Sequence, residues 1–245
     1  MKKIDIFGIK IDNVSLDQTM ELLQEKLQGQ ELFTIATPNT EIAMEAKENP
    51  DFARLINSFD LVVADGIGLI KASQMKKIPL KERVTGFDIS MELLKLGATR
   101  PLKLFILASK EGRSQRAADN IHKTYAGVQV VGNRNGYFSL DEEDQIIDQI
   151  NASQAEVIFV GLGFPKQEEF IARNRKRLKG KIIIGNGGVT DILAGVSKRA
   201  PDIFIKLHLE WFYRLLKEPT RFKRQLALPK FIIEVLVNKD SVKEA

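Results

Sequence analysis

The chain has 245 residues, 44% hydrophobic and 28% charged, with no cysteine and only two histidines, His122 and His208. That composition excludes collagen-like and disordered classes, a disulfide framework, a thiolate zinc site, a cysteine nucleophile and a His-rich metal centre. The net charge is +5, and all of the excess lies at the end: from Lys198 to Ala245 eleven Lys/Arg stand against six Asp/Glu, while the preceding residues hold 26 of each.

A basic tail of this kind suits an anionic partner, namely phosphate, nucleic acid or a membrane surface, with a solvated basic face as the plain alternative. The opening MKKIDIFGIKID lacks the apolar run and small-residue cleavage site of a signal peptide, so none is expected. No stretch reaches the apolar length needed to span a bilayer.

In chain order, IDIFGIKID reads as two short strands around Gly8. Ser15 and Gln18 form a capping-box pattern before Leu16, Met20, Leu23 and Leu27, which recur at helical spacing. Apolar runs of strand length follow: LFTIAT, LVVAD, LKLFILA, VQVVG, EVIFVGLG and KIIIGNGG. Helical patterns fill most gaps: Glu41 to Asn57, Asp88 to Gly97, Arg113 to Tyr125 and Asp141 to Ile150, the last behind a second capping box, Ser139 and Glu142. Near-continuous Val/Ile/Leu strands alternating with helices predict an α/β fold with a Rossmann-like, mainly parallel sheet covered on both faces. Ligands on such sheets bind where the strands end.

The residues just past the strands therefore matter most. LFTIAT runs into Thr37-Pro38-Asn39-Thr40-Glu41, and LVVA into Asp65-Gly66-Ile67-Gly68. An Asp at that rim can serve as a base if partial burial raises its pKa, or can simply cap the next helix. After EVIFVGLG, Gly161 and Gly163 begin a dinucleotide-type turn, but Lys166 fills the third glycine's place, so a nicotinamide-dependent oxidoreductase is only weakly signalled. Pro165 suits the first turn of the next helix. These glycines, and Gly185, Gly187 and Gly188 after the last strand, make a pyrophosphate site or merely tight turns. There is no Asp-x-Asp after a strand, no GxxxxGK[ST] loop and no GxSxG elbow. Without a metal motif, a leaving diphosphate needs Arg, Lys or helix N-termini, so no cofactor and no metal are expected.

The composition changes near Ala200-Pro201. Over Asp202–Lys217 a single helix would place Asp202, Lys206, Glu210, Tyr213, Arg214 and Lys217 on one narrow stripe, with a wide apolar remainder that includes Ile203, Leu207, Trp211, Phe212 and Leu216. That pattern suits a helix lying in a membrane interface or docked on its own domain. Arg214, Arg221 and Arg224 are spaced to converge on a phosphate. The tail has few side chains for reading base edges, so no nucleic-acid partner is expected.

Seven segments together are similar to one family. TPNTE at 37–41, ADGIG at 64–68, ERVTGFD at 82–88, VGLGFPKQE at 160–168, GNGGVTDILAG at 185–195, KRAP at 198–201 and EWFYRLLKEPTR at 210–221 resemble the WecG/TagA/CpsF family of bacterial glycosyltransferases, in particular its TagA-type N-acetylmannosaminyltransferases. The order and spacing match over nearly the whole chain. One departure is the glycine loop, commonly closer to GVGGxFD in the family, where Asn186 and Thr190 stand here.

The resemblance implies transfer of N-acetylmannosamine from UDP-N-acetylmannosamine to the 4-hydroxyl of GlcNAc on undecaprenyl diphosphate, giving the β-linked disaccharide lipid that begins wall teichoic acid linkage units. A related donor such as UDP-N-acetylmannosaminuronic acid is the nearest competitor. An α-linked donor and a β-linked product mean one in-line displacement, needing one base and charge stabilisation on departing UDP. On this resemblance Asp65 is the general base, Thr37 and Asn39 contact sugar, and Gln167 hydrogen-bonds sugar or nucleotide. Arg83 meets a diphosphate, and Arg214, Arg221 and Arg224 bind the lipid diphosphate or UDP. The implied organisation is a catalytic domain over 1–197 and a helical, membrane-associating appendage over 198–245. The implied location is the cytoplasmic face of the cell membrane, held peripherally, with a homo-oligomer as a further outlet for the apolar tail.

Overall fold

The structure is a computed structural model that describes residues 2–108, 110–207, 209–217 and 227–245. Its centre is a six-stranded sheet with every strand parallel, in the order β4-β3-β8-β7-β5-β6. The strands are β3 (Phe33–Ala36), β4 (Leu61–Val62), β5 (Leu102–Ala108), β6 (Val128–Arg134), β7 (Val157–Gly161) and β8 (Ile182–Gly185). Each comes from an apolar run expected to be a strand. Side chains alternate between the two faces, as strand geometry requires. Ile35, Phe159, Ile182 and Ile184 enter one core, while Ala36, Ile158, Val160 and Ile183 enter the other.

Helices cover both faces. On one side lie α1 (Leu16–Lys26), α5 (Gly86–Leu96) and α6 (Arg113–Thr124), which contribute Leu23, Ile89, Leu93 and Ile121. On the other lie α2 (Thr40–Glu48), α3 (Pro50–Asn57), α4 (Ile67–Met75), α7 (Glu143–Ala152) and α8 (Lys166–Asn174), which contribute Ile42, Phe52, Leu69, Ile146 and Phe170. Both capping boxes form, Ser15 with Gln18 and Ser139 with Glu142. The helix expected over Glu41–Asn57 is broken. Asn49 ends α2, and its Oδ1 accepts from the amides of Asp51 and Phe52 to begin α3, with Pro50 in the first turn. Pro50 has no N–H to continue the first helix but fits the start of the second.

The opening strands, β1 (Lys3–Ile6) and β2 (Ile9–Asp12), stand outside this sheet as an antiparallel hairpin. Phe7 and Gly8, at φ 52 and 87, make its two-residue turn. Positive φ at both positions matches the twist of the paired strands, and glycine takes it without strain.

The tail is not uniform. The helix expected over Asp202–Lys217 divides into α10 (Asp202–Lys206) and α11 (Glu210–Lys217), following the short α9 (Val189–Leu193). The last residues join the body. In α12 (Ala227–Val237) Phe231 and Val235 are fully buried, and Phe231 meets Phe7 edge to face at 5.5 Å. The final strand β9 (Val242–Glu244) pairs with β1 and completes a three-stranded sheet, β2-β1-β9. Ile203, Leu207, Leu216, Ile233, Leu236 and Val237 remain exposed. Among the described residues no helix is long and apolar enough to cross a membrane.

Candidate active site

Loops leaving the carboxyl ends of β3, β4, β5, β7 and β8 close around one cleft of about 470 Å³. Strand order explains the convergence: β3, β8, β7 and β5 are neighbours in the sheet, so segments far apart in sequence end side by side. Thr37, Asn39, Asp65, Arg83, Gly161, Gly163, Gln167, Gly187 and Gly188 all line the cleft. The side chain of Arg214, on α11, is not described, and Arg221 and Arg224 lie outside the described residues.

Asp65 follows β4 and is partly exposed. Its amide donates to the Pro38 carbonyl at 3.0 Å, and its Oδ2 accepts from the Gly86 amide at 3.1 Å. The cap of the helix that follows it is Gly66, with no side-chain cap bond. Asp65 therefore anchors the start of α5 across the cleft rather than capping α4.

Arg83 links the two sides of the site. Its Nε donates to the Asp65 carbonyl at 2.5 Å, and its Nη2 lies 3.6 Å from Asp65 Oδ1 and 3.0 Å from Glu210 Oε2 on α11. Burial alone would lower its pKa, but the Asp65 and Glu210 carboxylates outweigh burial and hold it above the ordinary arginine value. The cation is therefore permanent, and the tail is tied to the site through it.

The other candidates are partly engaged by the fold. Thr37 Oγ1 donates to the Gly185 carbonyl at 3.3 Å. Asn39 caps α2, its Oδ1 accepting from Glu41 and Ile42 at 2.9 and 3.1 Å, so its NH₂ is what it can offer a ligand. Gln167, 6% exposed, accepts from the Gly187 amide at 3.2 Å through Oε1 and donates to Glu168 Oε1 at 2.8 Å through Nε2. Each end of its amide makes one bond within the protein, which leaves a second N–H and a second acceptor lone pair on a residue that lines the cleft.

Lys110, Arg113, Tyr137, Asp191, Glu210 and Trp211 also line the cleft and were not among the sequence candidates. Arg113 Nη1 is 3.0 Å from Asp191 Oδ1. Lys110 and Arg113 follow the end of β5 just as Asp65 follows β4, so the same rim rule would have found them. Among the described residues no three His, Asp or Glu side chains gather as ligands for a metal ion.

Gly161 lies where three loops touch. A Cβ there would come within 2.7 Å of the Ala108 Cβ and 2.9 Å of the Gly187 carbonyl. Gly161→Ala is thus expected to push the β5, β7 and β8 loops apart and to destabilise the protein by about 1–3 kcal/mol, as overpacking typically does. Chemical denaturation measures this, and an unchanged stability would contradict the close contact.

The model of the glycosyl transferase WecG/TagA/CpsF family matches residues 4–244. The chain is also similar to proteins named N-acetylglucosaminyldiphosphoundecaprenol N-acetyl-beta-D-mannosaminyltransferase. One is from Bacillus spizizenii W23, 34% identical over 82% of this chain and 78% of that protein. Another is from Staphylococcus aureus MRSA252, 34% identical over 99% of this chain and 96% of that protein. A family match that runs from the first hairpin strand to the last strand, with relatives similar over the same length, shows that the chain belongs to the WecG/TagA/CpsF family of glycosyl transferases.

Proposed function

We propose that this glycosyltransferase moves N-acetylmannosamine from UDP-N-acetylmannosamine to the 4-hydroxyl of GlcNAc on undecaprenyl diphosphate, with inversion. The observation that carries this reading is one cleft at the carboxyl edge of a parallel sheet. It is lined by a carboxylate, Asp65, a fixed cation, Arg83, and the glycine turns after β7 and β8. Full-length similarity to enzymes of that name supports the transferred sugar and the acceptor, and UDP as the carrier is part of the proposal.

The displacement balances simply. The acceptor O4 attacks C1 of the donor sugar, the O4–C1 bond forms as the C1–O bond to UDP breaks, and the hydroxyl proton passes to the Asp65 carboxylate. UDP leaves with the electron pair. Its growing charge is met by cations and backbone N–H groups at the cleft, with Arg83, Lys110 and Arg113 as the side chains at hand. Such preorganised donors act where charge develops and need no rearrangement at the moment of reaction. The tail arginines, Arg214, Arg221 and Arg224, are assigned to the lipid diphosphate.

The exposed apolar residues of α10, α11 and α12, together with the tail's excess of positive charge, support peripheral attachment to an anionic membrane. The division at residue 198 is kept in functional terms: 1–197 carries the strand-end loops, and 198–245 brings the lipid-facing surface and closes the cleft with Glu210 and Trp211.

A panel of UDP-sugars presented with a lipid-diphosphate-GlcNAc analogue tests the reading. UDP-N-acetylmannosamine is expected to be the donor used, and use of UDP-N-acetylmannosaminuronic acid or another hexose alone would overturn the donor assignment. In the same assay EDTA is expected to leave turnover unchanged, because the cleft supplies arginine and lysine for the diphosphate. Loss of activity with EDTA, restored by magnesium or manganese, would contradict metal independence.

A further inference from the structure

The most deeply buried acid beside the cleft is not one of the lining residues. Glu168 follows Gln167 at the start of α8 and is 3% exposed. Its Oε1 accepts from Gln167 Nε2 at 2.8 Å, and its Oε2 is buried with no hydrogen-bond partner among the described residues. Gln167 Oε1 in turn accepts from the Gly187 amide at 3.2 Å, and Gln167 packs under Gly185, where a Cβ would lie 2.9 Å from its Nε2. A chain of two hydrogen bonds therefore runs from a buried carboxyl on α8 to the glycine turn after β8.

The chemistry of the amide gives that chain a purpose. The terminal torsion of glutamine is broad and two-fold, so the side chain alone has little preference between its two flipped orientations. Only one presents its oxygen to the Gly187 N–H, and the other sets donor against donor. A carboxyl oxygen beside Nε2 selects the productive orientation, because an oxygen can accept from Nε2 but an ionised carboxylate cannot donate to Oε1. Burial is the largest influence on Glu168 and pushes its carboxyl up to about 7. The Gln167 bond offsets part of that rise, and nearby Glu169 and Glu41 add to it. Near neutrality the group therefore exists both with and without its proton. A proton placed on Oε2 leaves Oε1 as the acceptor in either state.

We propose that Glu168 is a positioning residue that fixes the Gln167 amide and, through it, the Gly187–Gly188 turn that receives the nucleotide diphosphate. This rests on the transferase reading for the identity of the ligand, but not for the loop itself.

The test compares Glu168→Leu, Glu168→Gln, Gln167→Ala and the double variant Glu168→Leu/Gln167→Ala in the full chain. Leucine fills similar space with no acceptor and no buried charge, so Glu168→Leu is expected to melt no lower than the parent protein. It should nevertheless weaken UDP binding about tenfold in titration calorimetry, the scale of one lost hydrogen bond. Deuterium exchange of a peptide spanning 185–190 in the ligand-free protein should speed up to a similar degree. Gln167→Ala should give the same losses, and the double variant should lose no more than Gln167→Ala alone. Glu168→Gln keeps an oxygen for Nε2 and should recover most of both.

A Glu168→Leu protein with parental exchange in this turn, or losses that multiply in the double variant, overturns the proposal. If the parent chain binds no UDP, the transferase reading fails, and the exchange measurement still decides the role of Glu168. If Glu168→Leu does not fold, the comparison of Glu168→Gln with Gln167→Ala decides: equal losses would overturn the proposal.

Discussion

Asp65→Asn is expected to keep the fold and UDP binding while lowering sugar transfer by about 10²–10⁴-fold, the usual contribution of a positioned base. The structure separates these effects. The Gly86 amide needs only an oxygen acceptor at the position of Asp65 Oδ2, and asparagine provides one. The bond from Arg83 Nε goes to the Asp65 main-chain carbonyl and survives any substitution. What disappears is the negative charge 3.6 Å from Arg83 Nη2 and the ability to take a proton from the acceptor hydroxyl. Single-turnover transfer measured beside UDP titration separates chemistry from binding. A variant that transfers sugar at close to the parental rate would leave Asp65 as an anchor for α5 and move the base elsewhere.

Deletion of residues 198–245 is expected to leave a folded but less stable body that binds UDP and transfers sugar at least about 10²-fold more slowly, a loss of the size seen when charge-stabilising donors are removed. The parallel sheet and helices α1 to α9 all lie before the cut, which is why the body persists. It loses Phe231 and Val235 from the core and β9 from the small sheet. Full burial of a large apolar side chain contributes about 1.5–3 kcal/mol, so a marked fall in melting temperature should accompany the cut. The cleft loses Glu210 and Trp211, and Arg83 loses its partner at 3.0 Å. The exposed apolar surface of α10, α11 and α12 goes with them, so co-sedimentation with anionic vesicles should vanish. A truncated body that sediments like the full chain would show that the tail is not the membrane contact, and one that transfers sugar as fast would show that it is not part of the site.

The central sheet was legible because β5, β7 and β8 are buried on both faces, apart from Lys103 near the start of β5, and read as nearly continuous apolar runs. The rim residues Thr37, Asn39 and Asp65 were legible by the same logic, standing directly after such runs. The break at Asn49-Pro50 was also written in the sequence, where helical periodicity on both sides hid a proline that ends one helix and starts another. The return of Val242–Glu244 to β1 was not legible. Three residues carry no pattern, and their pairing with the first strand accompanies a tertiary contact, Phe231 against Phe7, that no local signal announces. Glu210 was assigned to a polar stripe on one long helix, but the helix breaks before it and the carboxylate turns to Arg83, 127 positions earlier. Glu168 shows the limit most clearly. A glutamate in the first turn of a helix reads as a solvated favourable charge, and only the tertiary fold buries it against Gln167.

The anomeric configuration of the product is the most direct measurement. Full-length protein supplied with α-linked UDP-N-acetylmannosamine and a lipid-diphosphate-GlcNAc analogue should yield a single disaccharide, resolved by NMR. One base and one leaving group in a single cleft predict the β-linked product, formed by one displacement with Asp65 as the base. An α-linked product, or a sugar trapped covalently on the protein, would contradict that mechanism.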